Sequence, residues 1–384
     1  MHRVNFLAVP FLIDVVIALG AVVLNLFAQN LGATPFQLGL LGFSWGVSYA
    51  ILTPLAGRLA DRLPRKPLMG AGLAVYGASM FAYGLCSSVN QLILLGLVNG
   101  TGCAFFWPVF ETYLQGGDPE ETNKRSGLFN MGWTLGLIVG SALGGYSMAL
   151  GPRLVLKSLA LLVFITTVYL MAILKEEGAV DEATEPEPSG IIRRKKEPLK
   201  FLHTAWIANF AVCFGTAITA SIFPKVCRVE GIPDGIIGLL LSVLNIAQAS
   251  TFLILSRTAI WHYRLAPVFA SEGLVILGLT LIALGKGIPT YIIGMLLQGI
   301  GRGVTYSSSL FYGLEASESR GANMGVHEML LGSAFTLGPL FGGLAAQAEL
   351  KSAFGLGAGV IALALPVHLR MLARRTNPIR RASG

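Results

Sequence analysis

The sequence predicts an all-α membrane protein of twelve transmembrane helices, arranged as two pseudo-symmetric six-helix bundles. Three observations predict this fold. Hydrophobic residues make up 54% of the 384 residues and charged residues only 12%, against roughly 25% charged in soluble domains. Apolar runs long enough to cross the membrane as helices, about 20 residues each, fill nearly the whole chain. The two halves carry matching glycine patterns. Continuous apolar runs, in place of short alternating segments, argue against a membrane β-barrel.

Charges, prolines and polar clusters divide the chain into twelve predicted spans. In the N-terminal bundle, 1–174, the spans are 5–29, 36–57, 67–87, 91–114, 126–149 and 154–174. In the C-terminal bundle, 201–384, they are 201–224, 234–256, 265–285, 288–314, 322–346 and 351–372. The charged, proline-bearing segment 175–200 between the bundles predicts a flexible cytoplasmic linker. Its acidic and then basic order would also suit a partner or lipid head groups, but a solvated connector is the preferred interpretation.

The distribution of Lys and Arg predicts the orientation of the chain. With the N-terminus in the cytoplasm, 21 of these residues fall in cytoplasmic segments, six fall in outer segments, and Arg302 lies within a span. Positive residues concentrate on the cytoplasmic side of membrane proteins. We therefore expect a multi-pass protein of the plasma (inner) membrane with both termini in the cytoplasm. The net charge of +8 reflects these loops and does not indicate nucleic-acid binding.

The two halves repeat each other. GLFNMGWTLGLIVGSALGG at 127–145 aligns without a gap with GVHEMLLGSAFTLGPLFGG at 325–343, and Gly39 and Gly238 each precede an arginine by 19 residues. Weak similarity between consecutive six-span halves is typical of transporters whose halves are related by an axis along the membrane normal.

The segment GRLADRLPRK, 57–66, places five charges between two long uncharged runs. It resembles the loop 2–3 signature of the major facilitator superfamily, G-x-L-A-D-R-x-G-R-K, with Pro64 in place of the second glycine. The residues that match are Gly57, Leu59, Ala60, Asp61, Arg62, Arg65 and Lys66. The resemblance covers the whole chain and implies the fold of that superfamily.

A second pattern, in the fifth span, is similar to the antiporter motif of this superfamily, G-x8-G-x3-G-P-x2-G-G. Ser141 replaces its proline, whereas the eleventh span keeps Pro339. The matching glycines are Gly127, Gly136, Gly140, Gly144 and Gly145. The fourth span reads LVNGTG where many proton-coupled members carry an arginine. This sequence lacks that arginine and so departs from their route of proton handling.

The resemblance implies a conformational latch on the cytoplasmic side. Gly57 is expected to let the second helix approach a neighbour closely. Asp61 would meet the positive N-terminus of the eleventh helix, and Arg62 and Arg65 would fix the topology and pair with nearby acids. Glu111, at the cytoplasmic end of the fourth span, joins this latch in the prediction by pairing with Arg65 or Arg125. A plain positive loop is the competing interpretation.

Charged residues inside predicted spans are functional candidates, because a charge at the centre of a membrane helix costs roughly 2.5–3.5 kcal/mol. Asp14 and Arg302 fall near the middle of their spans, where they could pair with each other or serve proton and substrate separately. His327 and Glu328 begin the eleventh span, either as a proton carrier and its neighbour or as gating and packing residues. We expect Glu328 to be the titrating acid, since an arginine beside Asp14 would keep that acid ionised.

Polar and aromatic residues of the spans complete the predicted substrate and proton site. Asn130, Trp133 and Tyr306 are candidates to line a cavity between the halves. HEMLL at 327–331 lacks the second histidine of a zinc protease. The sequence therefore predicts neither a metal site nor a cofactor.

The preferred function is secondary active transport of a small organic solute by alternating access, with proton-coupled export first. Uptake by symport, or uniport of a polar or anionic metabolite, is the alternative. The scattered histidines, five in all, supply no catalytic cluster, so an enzyme is not expected, and a carrier fold used as a sensor stays open. The expected partners are the solute, protons and membrane lipids, without nucleic acid, and the chain is expected to be a monomer.

Overall fold

The chain folds into twelve α-helices. The computed structural model describes residues 5–60, 62–114, 119–174, 198–315 and 320–375. The helices are α1 (Asn5–Asn30), α2 (Pro35–Ala60), α3 (Arg65–Tyr83), α4 (Val89–Thr112), α5 (Pro119–Ser147), α6 (Pro152–Ile173), α7 (Pro198–Val229), α8 (Asp234–Ser256), α9 (Ala266–Leu284), α10 (Ile288–Glu315), α11 (Arg320–Ala348) and α12 (Ser352–Arg375). They confirm the twelve predicted spans; α8 has the predicted bounds, and the other helices differ from the prediction at one or both ends. Most of the predicted linker, 175–200, lies outside the described residues.

Nine of the helices in the described part of the chain are long and apolar enough to cross a membrane: α1, α2, α4, α5, α6, α7, α8, α9 and α11. The helix α10 carries more polar side chains, and it turns several of them into the protein. Gln298, Thr305, Ser308 and Ser309 are all buried. Polar groups inside a membrane bundle favour the protein interior over lipid, so the lower hydropathy of α10 reflects an inward polar face.

The helices pack as two equivalent bundles. In the first, α1 contacts α5 and α6, α2 contacts α4, and α3 contacts α4 and α6. In the second, α7 contacts α11 and α12, α8 contacts α10, and α9 contacts α10 and α12. Each contact in the first bundle has its counterpart six helices later. This correspondence confirms the internal repeat that the glycine patterns predict.

The bundle has two ends, which we call the termini face and the far face. The termini face holds the first residues of α1, α3, α5, α7, α9 and α11 and the last residues of α2, α4, α6, α8, α10 and α12. The far face holds the opposite helix ends and the connections α1–α2, α3–α4, α5–α6, α7–α8, α9–α10 and α11–α12. Two of these, α1–α2 and α7–α8, turn at equivalent glycines, Gly32 with φ 84° and Gly231 with φ 74°. Glycine adopts this left-handed conformation without a steric penalty.

The two halves meet through α2 with α11 and through α5 with α8. These two contacts are equivalent by the repeat. A Cβ atom added to Gly238 on α8 would lie 2.6 Å from the carbonyl oxygen of Ser141 on α5. One added to Gly39 on α2 would overlap the carbonyl of Pro339 on α11, the residue aligned with Ser141. Both helix pairs therefore approach as closely as only glycine permits.

Candidate functional site

A cavity of about 430 Å³ lies between the two halves. Its wall comes from α1 to α5 on one side and from α7, α8, α10 and α11 on the other. Most of the wall is apolar and includes the aromatic residues Trp45, Tyr76, Tyr83 and Phe335. Hydrogen-bonding side chains interrupt it at a few points: Asn25, Asn99, Ser141, Thr216, Asn245 and Arg302. A volume of this size suits a drug-sized molecule.

Arg302 is the one charged side chain among the described residues that line the cavity. It lies on α10, and its guanidinium group stands 5.4 Å from the ring centre of Phe335 on α11. Its Nε atom is buried and has no hydrogen-bond partner. No carboxylate lies within ion-pair distance of Arg302 in the described part of the chain. The structure thus places Arg302 in the cavity wall, and its role as a substrate contact stays a prediction.

Asp14 lies in the N-terminal half, away from Arg302. The residue is 6% exposed, and its Oδ2 atom has no hydrogen-bond partner among the described residues. A Cβ atom added to Gly136 on α5 would lie 2.7 Å from the Asp14 Cβ atom, so Asp14 packs against α5. The predicted Asp14–Arg302 pair is not present in this structure. The two residues are at similar depth, but they belong to different bundles and point into different surroundings.

Trp133 and Tyr306, two other predicted site residues, form an aromatic contact between the halves, and a third, Asn130, contacts Trp133. The ring of Trp133 on α5 lies 6.2 Å from that of Tyr306 on α10 and 6.0 Å from that of Phe252 on α8. Asn130 accepts a hydrogen bond of 3.1 Å from Trp133 Nε1 and so orients the indole. None of the three lines the cavity itself. They lie on its termini side, and we assign Trp133 and Tyr306 to the cavity entrance.

His327 and Glu328 face different environments. His327 is 1% exposed, its Nδ1 atom lies 2.7 Å from Ser309 Oγ, and its ring packs edge-on against Tyr306 at 5.1 Å. These contacts place His327 in the packing between α10 and α11. Glu328, the next residue, is only half-buried and makes no ion pair in the described part of the chain.

Glu111 and Glu328, one from each half, act on each other electrostatically. Both also act on the Tyr49 and Tyr306 side chains, so the two carboxyl groups face the same region at the termini side of the cavity. The predicted pairing of Glu111 with an arginine is not found. Arg125 instead forms an ion pair of 3.1 Å with Glu121, one helical turn away on α5.

The far face is closed by polar contacts between the halves. Arg228, near the end of α7, donates to the Leu26 carbonyl at 3.0 Å and to Asn30 Oδ1 at 2.8 Å. Lys225 donates to the Ala33 carbonyl at 2.8 Å. Asn25 Nδ2 donates to the α7 backbone at 2.8 Å. Two cations of α7 therefore bind α1 and the turn that follows it, and these contacts join the two halves at the far face.

The predicted latch is only partly visible. Asp61 lies outside the described residues. A Cβ atom at Gly57 would meet nothing within 4 Å, so the predicted close approach at Gly57 is absent in this conformation. Arg62 is exposed, and Arg65 Nε lies 3.5 Å from the Ala60 carbonyl. Among the described latch residues, Gly57 thus leaves open space beside α2 at the termini face.

The sequence interpretation missed a buried acid and histidine between α9 and α12. Glu272 and His368 are both fully buried, with Oε2 and Nδ1 3.4 Å apart. Phe269 stacks on the histidine ring at 5.8 Å. Glu272 is the only charged residue in the predicted span 265–285. A single charge in an apolar span was the sequence signal that could have identified this buried acid. The pair lies outside the cavity wall.

Comparison with known proteins agrees with this architecture. The profile of the Major Facilitator Superfamily matches residues 4–206 and again residues 205–383. Two solved structures resemble the fold across almost the whole chain. The nucleoside transporter NupG has a TM-score of 0.74 at 16% identity, covering 97% of this chain and 99% of that one. A bacterial homologue of the human lysosomal transporter Spinster, inward-facing and occupied, has a TM-score of 0.73 at 15% identity, covering 98% and 96%.

Two curated relatives are named for drug resistance. Multidrug resistance protein 2 of Bacillus subtilis is 27% identical over 197 residues, which is 48% of each chain. Quinolone resistance protein NorA of Staphylococcus aureus is 28% identical over 165 residues, 42% of each chain. The matched region thus spans about half the length of these curated relatives.

Proposed function

The chain belongs to the Major Facilitator Superfamily, and we propose that it is a secondary active transporter that exports a small organic solute in exchange for protons. The observation that carries the proposal is the cavity between the halves, closed toward the far face by contacts of α1 with α7, α2 with α11 and α5 with α8. Alternating access would break these contacts and form equivalent ones at the termini face. The names of the two drug-resistance relatives support export of an organic solute.

The proton would bind to acids inside the helices. Asp14, Glu111 and Glu328 make no ion pair in the described part of the chain, so none of them is held ionised by a neighbouring cation there. The expectation that Arg302 keeps Asp14 ionised loses its geometric basis, since the two do not pair. We retain Glu328 as the favoured proton carrier because it lies at the cavity entrance, opposite Glu111. Asp14 is the second candidate, as a buried acid with an unpartnered oxygen.

The latch remains part of the proposal as a contact of the opposite state. When the termini face closes, Asp61 would reach the start of α11, and Gly57 would allow α2 to pack against its neighbour. We expect Asp61→Asn to reduce transport strongly while leaving insertion and unfolding temperature unchanged. Wild-type flux of the Asp61→Asn protein in reconstituted vesicles would contradict the latch.

The orientation is proposed from the charge distribution. The sequence segments predicted to be cytoplasmic carry 21 Lys and Arg against six in the outer segments, so the termini face would be cytoplasmic. The cavity would then open to the cytoplasm in this conformation, as expected for a carrier that loads its export substrate there.

Uptake is the second candidate function. Arg302 in the cavity wall favours a polar or anionic metabolite, which a symporter or uniporter could also bring into the cell. The direction of the driving gradient separates the two candidates, because antiport and symport respond to opposite pH gradients.

The test uses proteoliposomes and the fluorescent quinolone norfloxacin. An acidic lumen should drive external norfloxacin inward by exchange, whereas an acidic exterior would do so for a symporter. We expect Glu328→Gln to lose gradient-driven uptake yet keep exchange at equal pH, with Glu349→Gln on the far face as the matched control. If Asp14→Asn alone loses coupling, the assignment is reversed. Absence of flux for norfloxacin, and for every compound that raises the unfolding temperature in a screen, would contradict transport.

A further inference from the structure

The only charge on the described residues of the cavity wall is positive. Arg302 supplies a cation, and no carboxylate joins it among the described lining residues. The remaining polar groups of the wall are neutral amides and hydroxyls. The three acids closest to the substrate path, Asp14, Glu111 and Glu328, lie outside this wall. A bound molecule in the cavity would therefore meet one fixed positive charge and no fixed negative charge.

The guanidinium group of Arg302 has unused hydrogen-bonding capacity. Its Nε atom is buried without a partner, and an arginine offers five N–H donors in a planar fork. The neighbouring groups are the Phe335 ring at 5.4 Å, the Cys213 thiol on α7 and the Tyr306 side chain on α10, which also receives the field of Glu111 and Glu328. Arg302 already shares a side-chain hydrogen bond with Cys213. This contact and the Phe335 ring restrain the guanidinium, so the unpartnered Nε donor is held in position.

The rest of the cavity wall is apolar and favours a ligand with an apolar body. Trp45, Tyr76, Tyr83 and Met80 line the N-terminal side of the cavity, and Pro339 and Phe335 line the other. Such a wall gains free energy by contact with aromatic or aliphatic surface. Asn245 uses its Nδ2 atom to reach Ser141 Oγ at 3.1 Å, which leaves its carbonyl oxygen as the acceptor available to a neutral polar group.

A cation fits this wall poorly. Placing a second positive charge near Arg302 in a wall of low polarity would be repulsive, and like-charge contact is a common basis for rejecting a partner. A neutral molecule with a carbonyl or sulfonyl oxygen could accept from the Nε donor, but it would leave the positive charge of Arg302 without a counter-charge. Only an anion satisfies the donors and offsets the charge.

We infer that the cavity selects an amphipathic anion: an aromatic or aliphatic body with one carboxylate, sulfonate or phosphate group bound by Arg302. This inference rests on the proposed transport function, which supplies the role of the cavity. It makes the proposed function more specific, because it assigns a negative charge to the solute and names Arg302 as the residue that binds this charge.

Three naphthalene probes of similar shape test the charge: naphthalene-2-sulfonate, the neutral naphthalene-2-sulfonamide and the cation 2-naphthyltrimethylammonium. Binding to the purified full chain is measured by calorimetry. We expect the sulfonate to bind most tightly and the cation least. In Arg302→Met the sulfonate should weaken roughly ten- to a hundredfold, the range for loss of a charged hydrogen bond, while the sulfonamide changes little. Arg302→Lys should recover part of the loss, since lysine keeps the charge without the fork.

Controls separate this inference from misfolding and from the transport proposal. Retained sulfonamide binding and an unchanged unfolding temperature show that Arg302→Met is folded. Arg153→Met, an exposed arginine of α6 outside the cavity, should leave sulfonate affinity unchanged. Equal or tighter binding of the cation, or binding of none of the three probes, overturns the inference. Either result leaves the norfloxacin experiment to decide transport independently, so the two failures are distinguishable.

Discussion

The far face and the termini face of this molecule are built from opposite electrostatics. At the far face, Arg228 and Lys225 from one half donate to carbonyl groups of the other half, Arg228 to Leu26 in α1 and Lys225 to Ala33 in the α1–α2 turn. At the termini face, Glu111 and Glu328 from the two halves face each other with like charge. The first arrangement attracts the halves and the second separates them. The conformation closed at the far face is therefore the one these charges favour while both glutamates are ionised.

The packing around glycines differs between the two faces in the same way. At the far side of the interface, Gly39 and Gly238 are packed so tightly that an added Cβ atom would overlap backbone of the other half. At the termini side, Gly57, Gly127 and Gly325 have nothing within 4 Å of such an atom. Gly127 and Gly325 are equivalent in the repeat. Close packing that glycine permits is thus used at one face here, and the free glycines are available for the other face.

The largest expected effect comes from removing Arg228. Arg228→Ala would lose two charged hydrogen bonds to α1, about 1.5–3 kcal/mol each where a charge is involved, and the far face should open. The measurement is labelling of Ala21→Cys, a cavity residue, by a membrane-impermeant maleimide added from the far side. The native cysteines are all buried.

Arg153→Ala is the matched control for that substitution. Arg153 is also a far-face arginine that donates to a backbone carbonyl, that of Cys86 at 3.3 Å, but within its own half. It should not change labelling of Ala21→Cys. Equal labelling of the two arginine variants would show that the cations of α7 do not close the far face.

Replacing a glycine by alanine should lower stability at the tightly packed glycines and leave it unchanged at the free ones. Gly238→Ala places a Cβ atom 2.6 Å from the Ser141 carbonyl oxygen, and overpacking of this kind costs about 1–3 kcal/mol. Gly57→Ala meets open space and should leave the unfolding temperature in detergent unchanged. If Gly57→Ala destabilised this state as much as Gly238→Ala, the glycine contrast would be wrong.

Neutralising the facing glutamates should favour closure of the termini face. Glu111 and Glu328 act on each other electrostatically. If their repulsion is about 1 kcal/mol, the value for two like charges about 4 Å apart in water, Glu111→Gln or Glu328→Gln should raise the closed population about fivefold. The double variant should add little to either single one, because the repulsion is already gone. Fully additive effects in spin-label distance distributions would indicate that the two residues act separately.

The smallest expected effect concerns Glu230, in the far-face loop after α7. Burial raises the pKa of this carboxyl, but hydrogen bonds from Lys351, Tyr291 and the Gly287 amide outweigh it, so the pKa lies below its usual value. A lowered folded pKa stabilises the fold above the unfolded value, and that contribution is lost as pH falls through the folded pKa. The unfolding temperature should drop about 1–2 °C more in the wild type than in Glu230→Gln below about pH 4. Parallel curves would contradict this.

The sequence predicted the helices and the repeat but only part of the site. Hydropathy is a property of each segment alone, so the twelve spans and the inward position of Arg302 could be inferred from composition and from a lone charge. Contacts between helices depend on the rotation of both, which is why the Asp14–Arg302 pair and the Gly57 contact were predicted and are absent. Lys225 and Arg228 each reach the other half through a backbone carbonyl, that of Ala33 and that of Leu26, for which no residue type gives a signal.

The most direct test of the central claim follows both faces at once. Spin labels at Leu63 and Ile260 report the distance across the termini face, and labels at Leu85 and Leu284 report the distance across the far face; all four side chains are exposed. Distances are measured in liposomes at neutral and acidic pH. Proton-controlled alternation predicts that acid shortens the termini-face distance and lengthens the far-face distance, and that Glu111→Gln/Glu328→Gln removes this response. Distances that stay unchanged with pH, or that shorten at both faces, would contradict it.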